Sequence, residues 1–140
     1  MAKKVFVSFD YENDKHYKHL LQAWDANDGF EFSFDDRSSG EINSDSIPVV
    51  KAALTKKIKD AKITLVIVGK EANKRHKDYK EIGYKNWINF EIAQSKVNGK
   101  KLLAVKLDKE YESPEALINS GASWVIGFEH DKIVEALRKL

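Results

Sequence analysis

Apolar positions along the chain alternate between two spacings, and the change from one to the other recurs five times. Short runs rich in β-branched and aromatic residues are typical of strands, and each is followed by a stretch with apolar residues at helical i, i+3, i+4 spacing. The predicted strands cover 4–9, 30–34, 62–69, 101–107 and 122–128. The pattern therefore predicts five successive strand–helix units.

Three of the helical stretches carry a clear apolar stripe. The first is expected to begin behind a cap at Asn13 or Asp14, and the second near Pro48, which a first helical turn accepts. The stripes are formed by Tyr17, Leu20, Leu21 and Trp24 in the first, Ile47, Val50, Leu54 and Ile58 in the second, and Ile133, Val134, Leu137 and Leu140 in the last. Each stripe should pack against a sheet.

Repeated strand–helix units require right-handed crossovers, which give a parallel sheet with helices on both sides. The second strand alternates apolar and polar residues and should lie at an edge, whereas the first, third and fourth are apolar at successive positions and should be central. The prediction is an α/β fold, a three-layer flavodoxin-like sandwich with a five-stranded parallel sheet in the order 2-1-3-4-5, forming a single domain over 1–140.

Composition supports an ordinary globular domain. The chain has 140 residues, of which 42% are hydrophobic and 33% are charged, and its formal net charge is +2. A balance so close to neutral argues against a dedicated nucleic-acid or membrane binder, although 70–81 are locally basic. The absence of cysteine excludes disulfides, thiolate metal sites and a cysteine nucleophile. The sequence also has no signal peptide and no run that could span a membrane, so we expect a cytoplasmic protein.

Loops at the carboxyl ends of the strands are where such sheets bind ligands, here between the first and third strands. These loops are "DYEND" after the first strand, "DDRSSGEINSDS" after the second, and 69–85 after the third. The last two are longer than usual, which is typical of lids and binding loops and also of tolerated insertions.

The sequence lacks the residues that proteins of this fold use for several known functions. The first loop has no glycine for a flavin phosphate, the third strand ends without the aspartate of a phosphoacceptor, and no glycines take the spacing of a dinucleotide or P-loop motif. The histidines His16, His19, His76 and His130 form no ligand pattern. We therefore expect no metal and no cofactor.

A tryptophan and a glutamate four residues apart, Trp87 and Glu91, lie on the helix after the third strand. Taken with "KVFVSFDYEND" at the start, "FDDRSS" after the second strand and "KNWINFEI" around the pair, they carry a resemblance over essentially the whole chain. On these motifs the sequence resembles the TIR superfamily, and specifically the TIR-like proteins of the Thoeris antiphage defence system.

The resemblance implies an enzyme whose substrate is NAD⁺ and whose catalytic residue is Glu91. Because residues four apart on a helix point the same way, the Trp87 ring should lie beside Glu91 and offer a surface for the adenine or nicotinamide ring. The resemblance further implies that Phe9, Asp10 and the segment Asp36, Arg37 and Ser38 help to enclose the dinucleotide. It also implies a cyclic ADP-ribose isomer as product, which activates a separate effector protein. Because the chain ends just after its fifth helix, we expect no fused effector; self-association on activation stays open.

Cleavage of the bond between nicotinamide and ribose in NAD⁺ needs a single carboxylate. Nicotinamide leaves as a neutral molecule from a cationic pyridinium, so no general acid is required, unlike in ordinary glycosides. Positive charge develops on the ribose as the bond breaks, and a carboxylate in place favours that state. If the substrate folds back, its own hydroxyl replaces water as nucleophile.

Structural interpretations of the same residues stay open. Trp87 could be only a core anchor, Glu91 a solvated carboxylate, Asp10 a helix cap, Asp36 a turn residue and Arg37 a surface charge. The chain as a whole could be a non-enzymatic TIR-like module for protein interaction or assembly. A degenerate receiver-like regulator fits less well, because the phosphoacceptor is missing.

Overall fold

Five parallel strands form one sheet in the computed structural model, which describes residues 3–27, 29–34, 42 and 46–140. The strands are β1 (Lys3–Ser8), β2 (Phe32–Phe34), β3 (Ile63–Val68), β4 (Lys101–Lys106) and β5 (Ser123–Ile126). All neighbouring pairs are parallel, and the spatial order is β2-β1-β3-β4-β5. The predicted α/β fold and strand order are confirmed.

Helices cover both faces of the sheet. They are α1 (Tyr11–Asp25), α2 (Ile47–Asp60), the short α3 (Tyr79–Ile82), α4 (Trp87–Val97) and α5 (His130–Arg138). Apolar residues of α1 and α5 pack on one face, and those of α2, α3 and α4 pack on the other. None of the described helices is both long and apolar enough to cross a membrane.

The central strand β3 shows why the core has two layers. All six of its residues are buried, because alternate side chains enter opposite layers. Leu65 and Ile67 join the layer of α1 and α5, whereas Val66 and Val68 join the layer of α4. The edge strand β2 buries Phe32 and Phe34 only, as its alternation predicts.

The start of α1 differs from the prediction. Asp10 is the N-cap, and its side chain accepts a hydrogen bond from the backbone N–H of Glu12 at 3.1 Å. The predicted caps, Asn13 and Asp14, lie inside the first turn, so most of the predicted "DYEND" loop is helical. Leu20, predicted on the inner face, is 40% exposed. The cap is misplaced because several residues in this stretch have the side-chain oxygen that a cap requires.

The second and last helices match their predicted stripes. Val50, Leu54 and Ile58 of α2 are buried, as are Ile133, Val134 and Leu137 of α5, while Leu140 packs against the core beyond the end of its helix.

The helix α3 was not predicted, because it is a single turn within the loop of 69–85. It ends at Gly83, whose φ of 85° is left-handed and suits glycine. Predicted strand ends are too long by up to two residues, at β2, β5 and elsewhere.

Candidate functional site

Two elements meet at the point where the strand order reverses. Ser8 is the last residue of β1, and its neighbour in β3 is Val66. Glu91 lies one turn inside α4, which packs against this part of the sheet. The Ser8 hydroxyl donates a hydrogen bond of 2.6 Å to Oε1 of Glu91. The carboxyl predicted to be catalytic therefore lies beside the carboxyl ends of β1 and β3, the region in which open α/β sheets bind ligands.

Buried asparagines fix the start of α4. The side chain of Asn86 accepts a hydrogen bond from the backbone N–H of Asn89 at 2.9 Å, so it caps the helix. The amide of Asn86 also donates to the carbonyls of Ala72 and Lys74, each at 2.9 Å. The carbonyl of Asn89 accepts from the backbone of Ala116 at 2.8 Å. These bonds tie α4, and with it Glu91, to the loops after β3 and β4.

The carboxyl of Glu91 is buried and incompletely paired. The residue is 2% exposed, and its Oε2 atom has no hydrogen-bond partner among the described residues. Burial raises the pKa of Glu91 to about 8, although the hydrogen bond from Ser8 opposes this shift. The interpretation of Glu91 as a solvated surface carboxylate is therefore wrong. In this arrangement the group is mainly protonated at neutral pH.

Trp87 is half-buried at the start of α4. Its ring centroid lies 5.6 Å from that of Phe90 and 6.5 Å from that of His76. It also packs against the apolar cluster of α2, together with Ile42 and Ile47. These contacts make Trp87 an anchor between α2 and α4, which is compatible with a second role at the edge of a ligand. Its contact with substrate stays a prediction.

Phe9 and Asp10 lie on the other side of the sheet from Glu91. Phe9 follows Ser8 along the chain and enters the opposite layer, where Nζ of Lys18 stands 5.7 Å from its ring centroid. Asp10 caps α1 and accepts a hydrogen bond from the side chain of Asn13 at 2.7 Å. These contacts of Asp10 agree with the interpretation of this residue as a helix cap. Substrate binding by Phe9 and Asp10 stays a prediction.

Three predicted substrate-binding residues, Asp36, Arg37 and Ser38, lie outside the described residues. Their role stays a prediction. Among the residues that the structure does describe, no group of three histidine or acidic side chains could hold a metal ion.

A second buried carboxyl, that of Asp14, was not predicted from the sequence. Asp14 is 6% exposed, and its Oδ2 atom has no hydrogen-bond partner in the part of the chain that the structure describes. Burial raises the pKa of Asp14 to about 6, the charge of Asp10 raises it further, and His16 opposes the shift. The available signal was spacing, because Asp14, Lys18 and Leu21 form the buried stripe of α1 and two of the three are charged.

The Asp14 carboxyl packs against Gly69, and the absence of a side chain at Gly69 leaves the space that the carboxyl occupies. Gly69 directly follows β3, and a Cβ atom added to it would stand 2.0 Å from Oδ2 and 2.6 Å from Cγ of Asp14. Gly69 does not adopt a left-handed φ, so the glycine is needed for space and not for conformation. The carboxyl of Asp14 therefore lies directly against the backbone at the carboxyl end of β3.

We expect Gly69→Ala to destabilise the protein by about 1 to 3 kcal/mol, because the added methyl group overlaps the Asp14 carboxyl. Chemical denaturation measures this loss. The control is the same substitution combined with Asp14→Ala, where the loss should become small because the overlapping group is gone. An equal loss in both backgrounds would place the strain in the backbone instead.

Three open clefts among the described residues lie away from Glu91. One, of about 960 Å³, runs along the outer surface of α4 and is lined by Arg75, Tyr79, Lys85 and Val97 among others. A second, of about 650 Å³, lies between α2 and α4 and shares Tyr84 with the first. Glu91 thus neither points into solvent nor lines one of these clefts, so its carboxyl is covered in this structure.

Comparison with solved structures supports the fold. A CMP N-glycosidase from Clostridium botulinum, BcmB, superposes with a TM-score of 0.59 over 97% of this chain and 99% of that chain, at 14% sequence identity. A de novo designed Rossmann 2x3 protein gives a TM-score of 0.48 over 99% of this chain and 88% of that chain, at 12% identity. The likeness to BcmB concerns the fold alone.

Sequence comparison identifies the family. No curated protein sequence matches the chain. Residues 6–112, well over half of the chain, match the family described as Thoeris protein ThsB, TIR-like domain. The match includes the second half of β1 and all of β3 and α4, and therefore both Ser8 and Glu91. The chain belongs to the family of TIR-like domains of the Thoeris protein ThsB.

Proposed function

We propose that this protein cleaves the bond between nicotinamide and ribose in NAD⁺, with Glu91 as the catalytic residue, and releases a cyclic ADP-ribose isomer. The observation that carries the proposal is the buried Glu91 carboxyl beside the carboxyl ends of β1 and β3. One of its oxygens is held by Ser8, and the other is unpartnered. Membership of the ThsB family supports this assignment.

The fold is compatible with this class of bond. BcmB is a CMP N-glycosidase, so N-glycosidic cleavage is a chemistry that a chain of this fold performs. In NAD⁺ the leaving group departs neutral, and the ribose carries the developing positive charge. A carboxylate beside that ribose stabilises the transition state more than the ground state, which is the requirement for catalysis.

The raised pKa of Glu91 is consistent with this role. A buried carboxyl is held neutral by desolvation, but an adjacent positive charge favours its ionised form. The pyridinium of NAD⁺ brings such a charge, so substrate binding itself would lower the pKa of Glu91 from about 8. The hydrogen bond from Ser8 then holds one oxygen, and the unpartnered Oε2 faces the ribose.

Access to Glu91 requires a change from the described arrangement, in which the residue is 2% exposed. We regard this arrangement as the resting form. Activation, by self-association or another trigger, would expose the carboxyl of Glu91 beside Trp87. Exclusion of water from a site that closes again over the substrate favours attack by a substrate hydroxyl, and the product is then cyclic. That product would diffuse to a separate effector protein.

The proposal is tested by incubating the purified protein with NAD⁺ from about pH 6 to about pH 9, with and without an extract of phage-infected cells. We expect release of nicotinamide together with one equivalent of a cyclic ADP-ribose isomer, which mass spectrometry identifies by a mass one water below that of ADP-ribose. The rate should increase as Glu91 ionises. CMP is offered in parallel as a substrate. Turnover of CMP without turnover of NAD⁺ would show that the substrate is wrong, and turnover of neither, in resting protein or infected extract, would contradict the proposed enzyme.

A further inference from the structure

Two buried side-chain oxygens have no hydrogen-bond partner within the part of the chain that the structure describes, and they belong to Asp14 and Glu91. An unpaired buried polar atom lowers stability, and an isolated carboxyl does so more than a neutral group. An alanine or a leucine at position 14 would avoid this cost. Such groups are expected where a ligand supplies the missing partner.

The two carboxyls lie on opposite faces of the sheet, each at the carboxyl end of a central strand. Glu91 reaches Ser8 from the α4 side of the sheet, and Asp14 contacts Gly69 from the α1 side. The strand neighbour of Ser8 is Val66, and Gly69 lies three residues further along the chain. At about 3.3 Å per residue, the backbone beside Asp14 lies roughly 10 Å further along the chain than the β3 residue paired with Ser8. The two carboxyls, on opposite faces of the sheet, are therefore not placed as a close pair that acts on one sugar.

We propose that Asp14 is a substrate-binding residue that accepts hydrogen bonds from the hydroxyl groups of the second ribose of the dinucleotide, the one attached to adenine. This inference rests on the proposed function for the identity of the ligand. A dinucleotide has two riboses joined by a pyrophosphate. In the proposed complex one ribose lies at Glu91, and the other reaches the carboxyl of Asp14. The vicinal hydroxyls of that ribose are neutral donors, which suit an oxygen that lacks one.

The chemistry of Asp14 also determines what it excludes. With a pKa of about 6 it is mainly ionised at neutral pH, so it accepts hydrogen bonds and repels phosphate groups. NADP⁺ differs from NAD⁺ by a phosphate on the adenine-linked ribose. Asp14 should therefore select NAD⁺ over NADP⁺, as acidic residues do at the ribose in other dinucleotide sites.

The test measures binding of NAD⁺ and of NADP⁺ by calorimetry, and KM and kcat for both, in the wild type and in Asp14→Asn. Loss of a charge-assisted hydrogen bond should weaken NAD⁺ binding and raise its KM by about 10- to 100-fold, with a smaller change in kcat. The preference for NAD⁺ over NADP⁺ should fall by at least about 10-fold, because the repulsion of the phosphate is removed. A purely structural role would not change that ratio.

Glu12→Gln is the matched control, since Glu12 is an exposed carboxylate in the same first turn of α1. It should leave both affinities unchanged. Thermal unfolding checks the fold of each variant, and Asp14→Asn should be at least as stable as the wild type because it removes a buried ionisable group. Unchanged KM and unchanged NADP⁺ discrimination in Asp14→Asn would overturn the role of Asp14 while turnover of NAD⁺ upheld the proposed function.

The opposite result is distinguishable. If NAD⁺ binds with a preference over NADP⁺ that depends on Asp14, but no nicotinamide is released under any condition, Asp14 is upheld and the enzymatic function fails. If the wild type binds neither dinucleotide in the resting or the activated state, both proposals are wrong.

Discussion

Glu91→Gln should reduce nicotinamide release from NAD⁺ by roughly 100- to 1000-fold or more. The substitution keeps the size of the side chain and an oxygen that accepts the hydrogen bond from Ser8 Oγ. It removes the ability to carry a negative charge. If that charge stabilises the electron-poor ribose, losing it costs about as much as removing one preorganised electrostatic group from other active sites, which is 100- to 1000-fold in kcat. Chromatographic measurement of nicotinamide over time gives the rate.

The control for this experiment is Glu81→Gln, because Glu81 is an exposed carboxylate on the neighbouring helix α3. Its rate should equal that of the wild type. Binding of NAD⁺ to Glu91→Gln should persist, since the loss is predicted in kcat and not in ground-state affinity. Equal rates for Glu91→Gln and the wild type would remove Glu91 from the mechanism and leave the interaction-module interpretation of the chain as the stronger one.

The sheet could be predicted from sequence because its signals are local. Five apolar runs, two-sided burial of β3 and alternation in β2 lead to a parallel sheet in the observed order. Helix boundaries were less accessible. The choice of Asp10 over Asn13 or Asp14 as the cap of α1 depends on how the chain leaves β1, which the composition of "DYEND" does not specify.

The candidate site could be predicted only in part. Resemblance and helical spacing indicate Glu91, but neither indicates that it is buried, because its partner Ser8 is 83 positions away along the chain. Asp14 went unnoticed for the same reason. Its environment is made by Gly69, which approaches only once β1 and β3 are adjacent. Local sequence gives the residue types, whereas the pairing of distant residues gives their charge states.

The charge state of Glu91 leads to a second large effect, on stability. Its pKa is raised to about 8 in the folded protein, against an ordinary value of about 4.3 in an unfolded chain. Below about pH 4 the carboxyl is neutral in both states, and its full contribution to stability is present. As pH rises, the unfolded chain ionises first, so the folded state loses stability until the pH passes about 8. Glu91→Gln cannot ionise and should not show this loss.

We therefore expect the free energy of unfolding of Glu91→Gln, relative to the wild type, to increase by on the order of 3 to 5 kcal/mol between about pH 4 and about pH 8. Using the difference between two pH values cancels the fixed cost of burying an amide, and Asp14 cancels because both proteins retain it. Urea unfolding at each pH measures the trend, and Glu81→Gln should show none.

A pH-independent difference would mean that Glu91 is already ionised in the folded protein, with partners other than Ser8. An increase in stability together with a loss of activity would have a clear physical meaning. It would show that the amide reproduces the neutral carboxyl of the resting fold, so that the lost activity cannot be attributed to misfolding. The carboxylate that the proposed reaction requires would then be a state that the fold opposes and the cationic substrate induces.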